Sequence, residues 1–521
     1  MKSSRALLAA GTAALLGMVI IAPSTAAVRA DSWSSWGFDT SNSRYNPGSG
    51  LGVGNVGSLA VKWKTQTTGN VSATPAVEKG VVYVPDDAGF LYAIDAATGA
   101  VTWQTSISGL TGIPGDYSRA TPAIAGDVLV LGDQAGKAFS PDGYLLGINK
   151  ATGAMVWKTK IEGGFPILTQ SATVVGGTAY VGVASYEEAL VRFGVPLSFR
   201  GKMMAVDAAT GVIQWLTYTV PVGYTGGSVW GSAPAVDVKR NSLYIATGNN
   251  YSIPASATAC LSTAPDDAAR AACIDPADMF DAIVSLDLTT GAVKWSMRAL
   301  PSDAWNLACG IPFLPGFTEP TPDCPADPGP DFDFGQAPTL YKVKGTEYVG
   351  AGQKSGKYWA VNPDTGAVLW STQAGTGGVG GGLQWGSAVD GSRVYTANAN
   401  SEAKPWTLKD GTVTTAGGWA GLDAATGRIM WTTAAPTGAG APGPVTAVDG
   451  VVFGCSGDAD GHMYALKASS GAVLWDFPSG DTCYSGASVV GSTVYWGTGY
   501  VTLPPDPRPG GALYAFTVNG T

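Results

Sequence analysis

Histidine is nearly missing from this chain: His462 is its one imidazole. A zinc site built from several histidines is thereby excluded, and a Ser-His-Asp triad is left a single possible base. His462 stands in Asp460-Gly-His-Met-Tyr464, just before a repeated strand and with no partnered nucleophile motif nearby, so it reads as a turn or strand-edge residue. Charge is also sparse, at 13% of residues, and acids outnumber bases 39 to 30 for a net charge of −9. Nucleic-acid partners need clustered Lys and Arg to release counterions, so that class is excluded. The motif Cys-x-x-Cys-His is absent, which excludes covalent haem c; electrons leaving this chain have to go to another molecule. No low-complexity linker interrupts the stretch from about Trp63 to Phe516, so one large domain over 31–521 is preferred.

Residues 1–30 differ from the rest. Lys2 and Arg5 precede an apolar run from Leu7 to Ile21, and small residues follow at Ala26, Ala27 and Ala30, the pattern of a secretory signal. Export to the periplasm or beyond is therefore expected, with no stable membrane span after signal removal. The six cysteines of an exported protein favour disulfides. Natural partners lie in the two longest inter-repeat insertions, Cys260 with Cys273 and Cys309 with Cys324, and Cys455 and Cys483 are left as a possible third pair. Spacing alone does not decide connectivity, and stapling of long loops is the expected role.

What the chain has in abundance is a repeated phrase. Asp95-Ala-Ala-Thr-Gly99-Ala-Val-Thr-Trp103 recurs in variants ending at Trp157, Trp215, Trp295, Trp370, Trp431 and Trp475. Each copy follows an apolar run such as Leu91–Ile94; Asp caps the turn locally and Gly supplies positive φ, so strand, turn and returning strand form an antiparallel hairpin. The spacing is that of four-stranded propeller blades. Seven copies are complete, whereas Gly511-Ala-Leu-Tyr-Ala-Phe516 lacks its turn and Trp, and Leu59-Ala-Val-Lys-Trp63 lacks its first strand. An all-β, eight-bladed propeller closed by pairing N- and C-terminal strands is predicted, since closure removes the open edge.

Propellers bind ligands where inter-blade loops converge on the central channel. Three insertions qualify: Ser185-Tyr-Glu-Glu188, Gly226-Gly-Ser-Val-Trp230 with Ala246-Thr-Gly-Asn-Asn250, and Pro301-Ser-Asp-Ala-Trp-Asn306. Together they offer oxygen ligands suited to a hard cation and an aromatic face for a planar cofactor. Lys354 and Lys357, in Gly352-Gln-Lys-Ser-Gly-Lys-Tyr-Trp359, are cations placed to meet a carboxylate or quinone oxygen.

With these residues the chain resembles the pyrroloquinoline quinone (PQQ) dehydrogenases, eight-bladed propellers with the same repeated phrase. Further shared features are Trp36-Gly-Phe-Asp-Thr-Ser-Asn-Ser-Arg-Tyr45, the Thr-Gly-Asn of Thr247 to Asn249, the loop of Lys354, and Gly382-Leu-Gln-Trp-Gly386. Within that family it is most similar to the polyvinyl alcohol dehydrogenases, in Asp303-Ala-Trp-Asn-Leu-Ala-Cys309, in Gly329-Pro-Asp-Phe-Asp-Phe334 after Cys324, and in Tyr495-Trp-Gly-Thr-Gly-Tyr500. The resemblance implies PQQ and Ca2+ as cofactors, with Trp230 under the PQQ ring and Lys354 on the quinone oxygens. It further implies Arg119, Thr169 and Trp385 around the cofactor, and Glu187, Asn249 and Asp303 at the metal. The implied activity is oxidation of secondary hydroxyls of polyvinyl alcohol or a similar polyol, with an external cytochrome c as acceptor.

Two departures bear on mechanism. Relatives carry an Asp where this chain has Asn306, and an amide cannot accept the substrate proton, so Asp303 is the nearest candidate base. The adjacent-cysteine disulfide that covers PQQ in many relatives is missing, and Phe193-Gly-Val-Pro-Leu-Ser-Phe199 is expected to serve as an apolar lid. Both departures also admit a rival reading, a propeller without cofactor that acts as a binding or assembly scaffold.

Overall fold

Each copy of the phrase folds as its chemistry dictates. Asp95 accepts hydrogen bonds on Oδ1 from the amides of Ala97 and Thr98 and from the Thr98 hydroxyl, and Gly99 turns at φ +76°. In this computed structural model, which describes Met1, 31–500 and 511–521, the hairpins build eight blades around one axis, each with a core of four antiparallel strands. Apart from Met1, the expected signal segment lies outside the described residues. Blade 1 comprises Ala76–Glu78, Val81–Pro85, Phe90–Asp95 and Val101–Ser106. Blades 2 to 7 follow in chain order, with innermost strands beginning at Ala123, Thr173, Ala235, Thr339, Ala388 and Thr446. In blade 8, Leu59–Gln66 closes the ring against Ala512–Val518, paired from Leu59 with Val518 to Gln66 with Ala512, as the two half-repeats predict.

The two ends of the phrase belong to a single joint. Trp63 Nε1 donates to the carbonyl of Ala96 in the next blade, Trp103 to Lys150, Trp157 to Ala208 and Trp215 to Leu288. The indole lies on the neighbouring turn glycine, so closely that a Cβ on Gly211 would stand 2.5 Å from Trp157. In every blade the outer strand also skips one residue before this Trp; in blade 1 the register jumps between Ala93 and Ile94. Such a bulge turns the indole toward the adjacent blade.

Residues 33–46 run around the axis on the innermost strands. Their carbonyls accept amides from Val77, Ile124, Val236, Leu340, Val389 and Ala447, one each from six blades. Arg44 is fully buried here, its guanidinium shared among the carbonyls of Val445, Trp36 and Ala487 and the Thr446 hydroxyl. Burial pulls its pKa down to about 9. The pairs Cys260–Cys273, Cys309–Cys324 and Cys455–Cys483 are all formed. Among the described residues, no helix is long and apolar enough to cross a membrane.

Candidate active site

Loops from blades 1 to 6 and 8 converge on a cavity of about 300 Å³, whose charged lining is Arg119, Lys137, Glu188, Asp331 and Lys354. An adjoining compartment of about 160 Å³ adds Asp333 and Trp385, and Trp230 lines both. A smaller space, about 50 Å³, runs from Trp36 to Arg119, Thr169 and Trp385. The glycine of Thr247-Gly-Asn is explained by close approach: a Cβ on Gly248 would stand 2.7 Å from Trp230 Nε1 and 2.9 Å from Asp333 Oδ1.

Lys354 Nζ lies 2.9 Å from Asp331 Oδ1 and 3.2 Å from Asp333 Oδ2. Burial opposes the Lys354 charge, but the two carboxylates prevail and raise its pKa. Glu188, Asp331 and Asp333 offer three carboxylate oxygens within 4.8 Å of one another. Burial first, then Asp333, pushes the Glu188 carboxyl up to about 8, against the pull of Lys354. Asp303 is pushed up to about 7, chiefly by burial, with the Phe332 amide opposing and Asp333 adding. Asp281 and Asp331 are raised well above the ordinary range, again by burial first.

Three of these five carboxyl groups, Glu188, Asp331 and Asp333, have Lys354 as their cation. Moreover, Asn249 Oδ1 and both oxygens of Asp281 are buried without a donor. Buried acceptors lacking donors are costly unless a cation or proton completes them, and this oxygen-rich set fits a hard divalent ion. The exposed indole face in the same cavity suits a flat ring.

The structure distributes the expected site residues unevenly. Trp230, Lys354, Arg119 and Trp385 line the cavity or its compartments, and Thr169 lines the smallest one, accepting from Gln134 Nε2 at 3.4 Å. Asn249 is held by its amide to Asp333 Oδ1 at 2.7 Å and by Nδ2 to the Trp305 carbonyl at 2.7 Å. Glu187 requires a correction. Its carboxylate accepts from the Ser198 amide and hydroxyl and the Phe199 amide at 2.7, 2.6 and 2.7 Å, tying down the following loop. Glu188, one helical step of about 100° further round, faces the cavity instead.

Asn306 and Asp303 also stand apart from the cavity wall. Asn306 Oδ1 caps Ala308, and its Nδ2 donates to the carbonyls of Tyr251 and Asp323. The Asp303 carboxylate accepts from the amides of Phe332 and Asp331, behind the wall on which Asp331 itself sits. The expected lid divides as well: Phe199 is core, stacked on Tyr251, and only Phe193 reaches the rim. There Phe193 meets Phe317 edge-on at 6.3 Å, and Arg192 donates to the carbonyls of Leu307 and Glu319. The cover is thus two loops, the second pinned by Cys309–Cys324. Asp331, Asp333 and Glu188 were missed as site residues; their signal was the Asp-x-Asp spacing in Gly329–Phe334 and the paired glutamates.

The model of the family described as "Outer membrane protein assembly factor BamB" matches residues 55–297 and 346–518, more than half of the chain, and the chain belongs to that family of PQQ-type propellers. Its curated relatives include polyvinylalcohol dehydrogenases. That of Sphingopyxis sp. (strain 113P3) is 28% identical over 94% of this chain and 77% of its own length, and that of Pseudomonas sp. is 27% identical over the same shares. The crystal structure of quinohemoprotein alcohol dehydrogenase from Comamonas testosteroni superposes with a TM-score of 0.70 at 19% identity, over 95% of this chain and 82% of that one, which shows a shared fold. The similarity to PQQ-dependent alcohol dehydrogenases expected from the sequence is thereby found across nearly the whole chain.

Proposed function

We propose that this protein is an exported PQQ- and calcium-dependent dehydrogenase that oxidises secondary hydroxyls of polyvinyl alcohol or a similar polyol and passes electrons to an external cytochrome c. The observation that carries the reading is the carboxylate cluster of Glu188, Asp331 and Asp333, with the unpartnered Asn249 Oδ1 next to it, beside Trp230 in the cavity lining. Trp230 would carry the PQQ ring, Glu188, Asp333 and Asn249 the calcium, and Lys354 the quinone oxygens, with Arg119 and Thr169 toward PQQ carboxylate or carbonyl groups. The chemistry supplied by the bound pair is hydride acceptance at the quinone and polarisation of its carbonyl by the cation.

The chain's own residues do the rest. Asp331 lines the cavity and has Oδ1 held by Lys354, so it takes the substrate hydroxyl proton in place of the expected Asp303. Asp303 positions it, by accepting the Asp331 amide. Ile167, Leu307, Ile311, Leu314, Phe317 and Val379 form an apolar part of the wall, which receives the hydrocarbon flanks of a carbinol and excludes water. A sugar alcohol would leave hydroxyls unpaired against that wall, whereas polyvinyl alcohol carries a methylene between carbinols. Three disulfides support export. The absence of a haem c motif supports an external acceptor.

A binding or assembly scaffold is the competing use of this fold. It gains nothing from gathering three carboxyl groups on one lysine with Asp281 and Asp303 buried behind them, at a cost in stability. Adding PQQ and calcium to the purified protein decides between the two: alcohol-dependent dye reduction and a bound-quinone absorption band are expected. Absence of bound PQQ at micromolar concentration overturns the enzyme.

A further inference from the structure

Lys137 is a cation without an ion pair, attracted at longer range by Asp87. It stands in the short turn Ala135–Ala138 of blade 2, lines the main cavity, and faces the rings of Tyr117 and Tyr186 at 5.9 Å each. Among the described residues its ammonium has no hydrogen-bond acceptor and no ion pair. The contrast with other partly buried lysines is plain: Lys150 pairs with Glu78, Lys202 donates to the Glu162 carbonyl, and Lys354 holds two aspartates. The seat is firm, because a Cβ on the adjacent Gly136 would stand 2.4 Å from the Phe165 carbonyl oxygen.

Arg119 shares this condition. Its Nη1 donates to the Tyr500 hydroxyl at 2.8 Å, its guanidinium lies 5.3 Å from the Trp385 ring centre, and its buried Nε has no acceptor. The two cations line the same cavity and repel each other; burial first, then Arg119, lowers the Lys137 pKa to about 7. Asp87 attracts Lys137 but spends its carboxylate on Asn70 rather than on an ion pair, so two desolvated like charges lacking an ion-pair partner form a prepared anion site, and one carboxylate bridging both relieves the repulsion and adds charge-assisted hydrogen bonds.

We propose that Lys137 joins Arg119 in binding a carboxylate of the cofactor, as a second cationic anchor apart from Lys354 and the metal ligands. The inference rests on the PQQ reading above and assigns a residue that reading leaves unused. PQQ carries three carboxylates, and its trimethyl ester keeps the ring and quinone while removing all three charges.

The test is equilibrium dialysis of the full-length apoprotein with calcium, against PQQ and, separately, the trimethyl ester. Lys137→Gln should weaken PQQ binding by roughly 10- to 100-fold, the scale of a lost charge-assisted contact. Lys137→Arg should restore most of it, and the ester should bind wild type and Lys137→Gln alike. Unchanged PQQ affinity in Lys137→Gln overturns the assignment, as does an equal loss for acid and ester, which would mark Lys137 as packing only. Failure of the wild type to bind PQQ overturns both this inference and the function on which it rests. A thermal melt of apo Lys137→Gln matching wild type confirms that the variant is folded.

Discussion

The rim of the propeller and its central cavity are built on opposite principles. At the rim, donors and acceptors match: Trp Nε1 meets a carbonyl in joint after joint, from Trp63 with Ala96 to Trp475 with Leu59, and from Trp63 to Trp431 the turn glycine of the next blade receives the indole. Trp370 departs from the pattern, for its Nε1 has no partner although it still lies on Gly427. In and behind the cavity, acceptors of Asn249 and Asp281 and donors of Arg119 and Trp230 are left without partners, and like charges crowd together, acids at Glu188, Asp331 and Asp333 and cations at Lys137 and Arg119. The rim is complete in itself, whereas the centre pairs an acid cluster that a cation would complete with two cations, Lys137 and Arg119, that an anion would complete.

The comparison breaks hardest at Asp331. In protein loaded with PQQ and calcium, Asp331→Asn should lower kcat by about 10²- to 10⁴-fold, the usual worth of a general base. Full turnover in that variant would return the role to Asp303. At the rim, Trp157→Ala removes an indole buried between blades 2 and 3 and should cost about 3–5 kcal/mol of stability in denaturant unfolding. Loss of cofactor affinity in Trp157→Ala beyond what unfolding explains would show that rim and centre are not independent.

Neighbouring glutamates sharpen the contrast within one helical turn. Glu188→Gln should weaken calcium binding at least about tenfold in titration calorimetry, since a ligand charge is lost. Glu187→Gln should leave calcium affinity unchanged and make the loop at 193–199 more open to protease. The reverse pattern would restore Glu187 as the ligand.

A smaller effect concerns pH. Glu188 and Asp303 have carboxyl pKa values raised in the folded state, to about 8 and about 7, so their contribution is fully present below the unfolded values near 4 and is lost as pH rises through the folded ones. Metal-free protein should therefore melt at lower temperature at pH 8.5 than at pH 5. Calcium should narrow that gap, and a gap unaffected by calcium would place the ion elsewhere. The smallest change belongs to the exposed turn acid Asp95, whose pKa is lowered by the Thr98 hydroxyl and amide. Asp95→Ala should shift the melting temperature less than any change above, because one turn among seven is loosened.

The rim was legible because its rules are local. Asp-x-x-Thr-Gly is a turn wherever it occurs, and strand closure followed from two half-repeats at Trp63 and Phe516. The cavity was legible only in outline. Of the residues named by resemblance, Trp230, Arg119 and Lys354 line the cavity and Asn249 bonds to Asp333 next to it, but Glu187 and Glu188 are indistinguishable until the phase of the helix Glu187–Leu190 is known. Asn306, at a position expected to carry the base, is occupied by backbone: it caps Ala308, and such capping is invisible until Tyr251 and Asp323 are seen beside it.

What the amino-acid order determined by itself was the blade, its count and the closing pair of strands, all products of short-range pattern and period, whereas the disulfide partners it only suggested. What tertiary structure alone decided was which acids share a wall. Lys354 and Asp331 stand 23 positions apart, and Glu188 stands more than a hundred from either, so only the curvature of the ring brings their charges within reach of one another. Electrostatics at that range depends on distance and burial, and neither is written in any single loop.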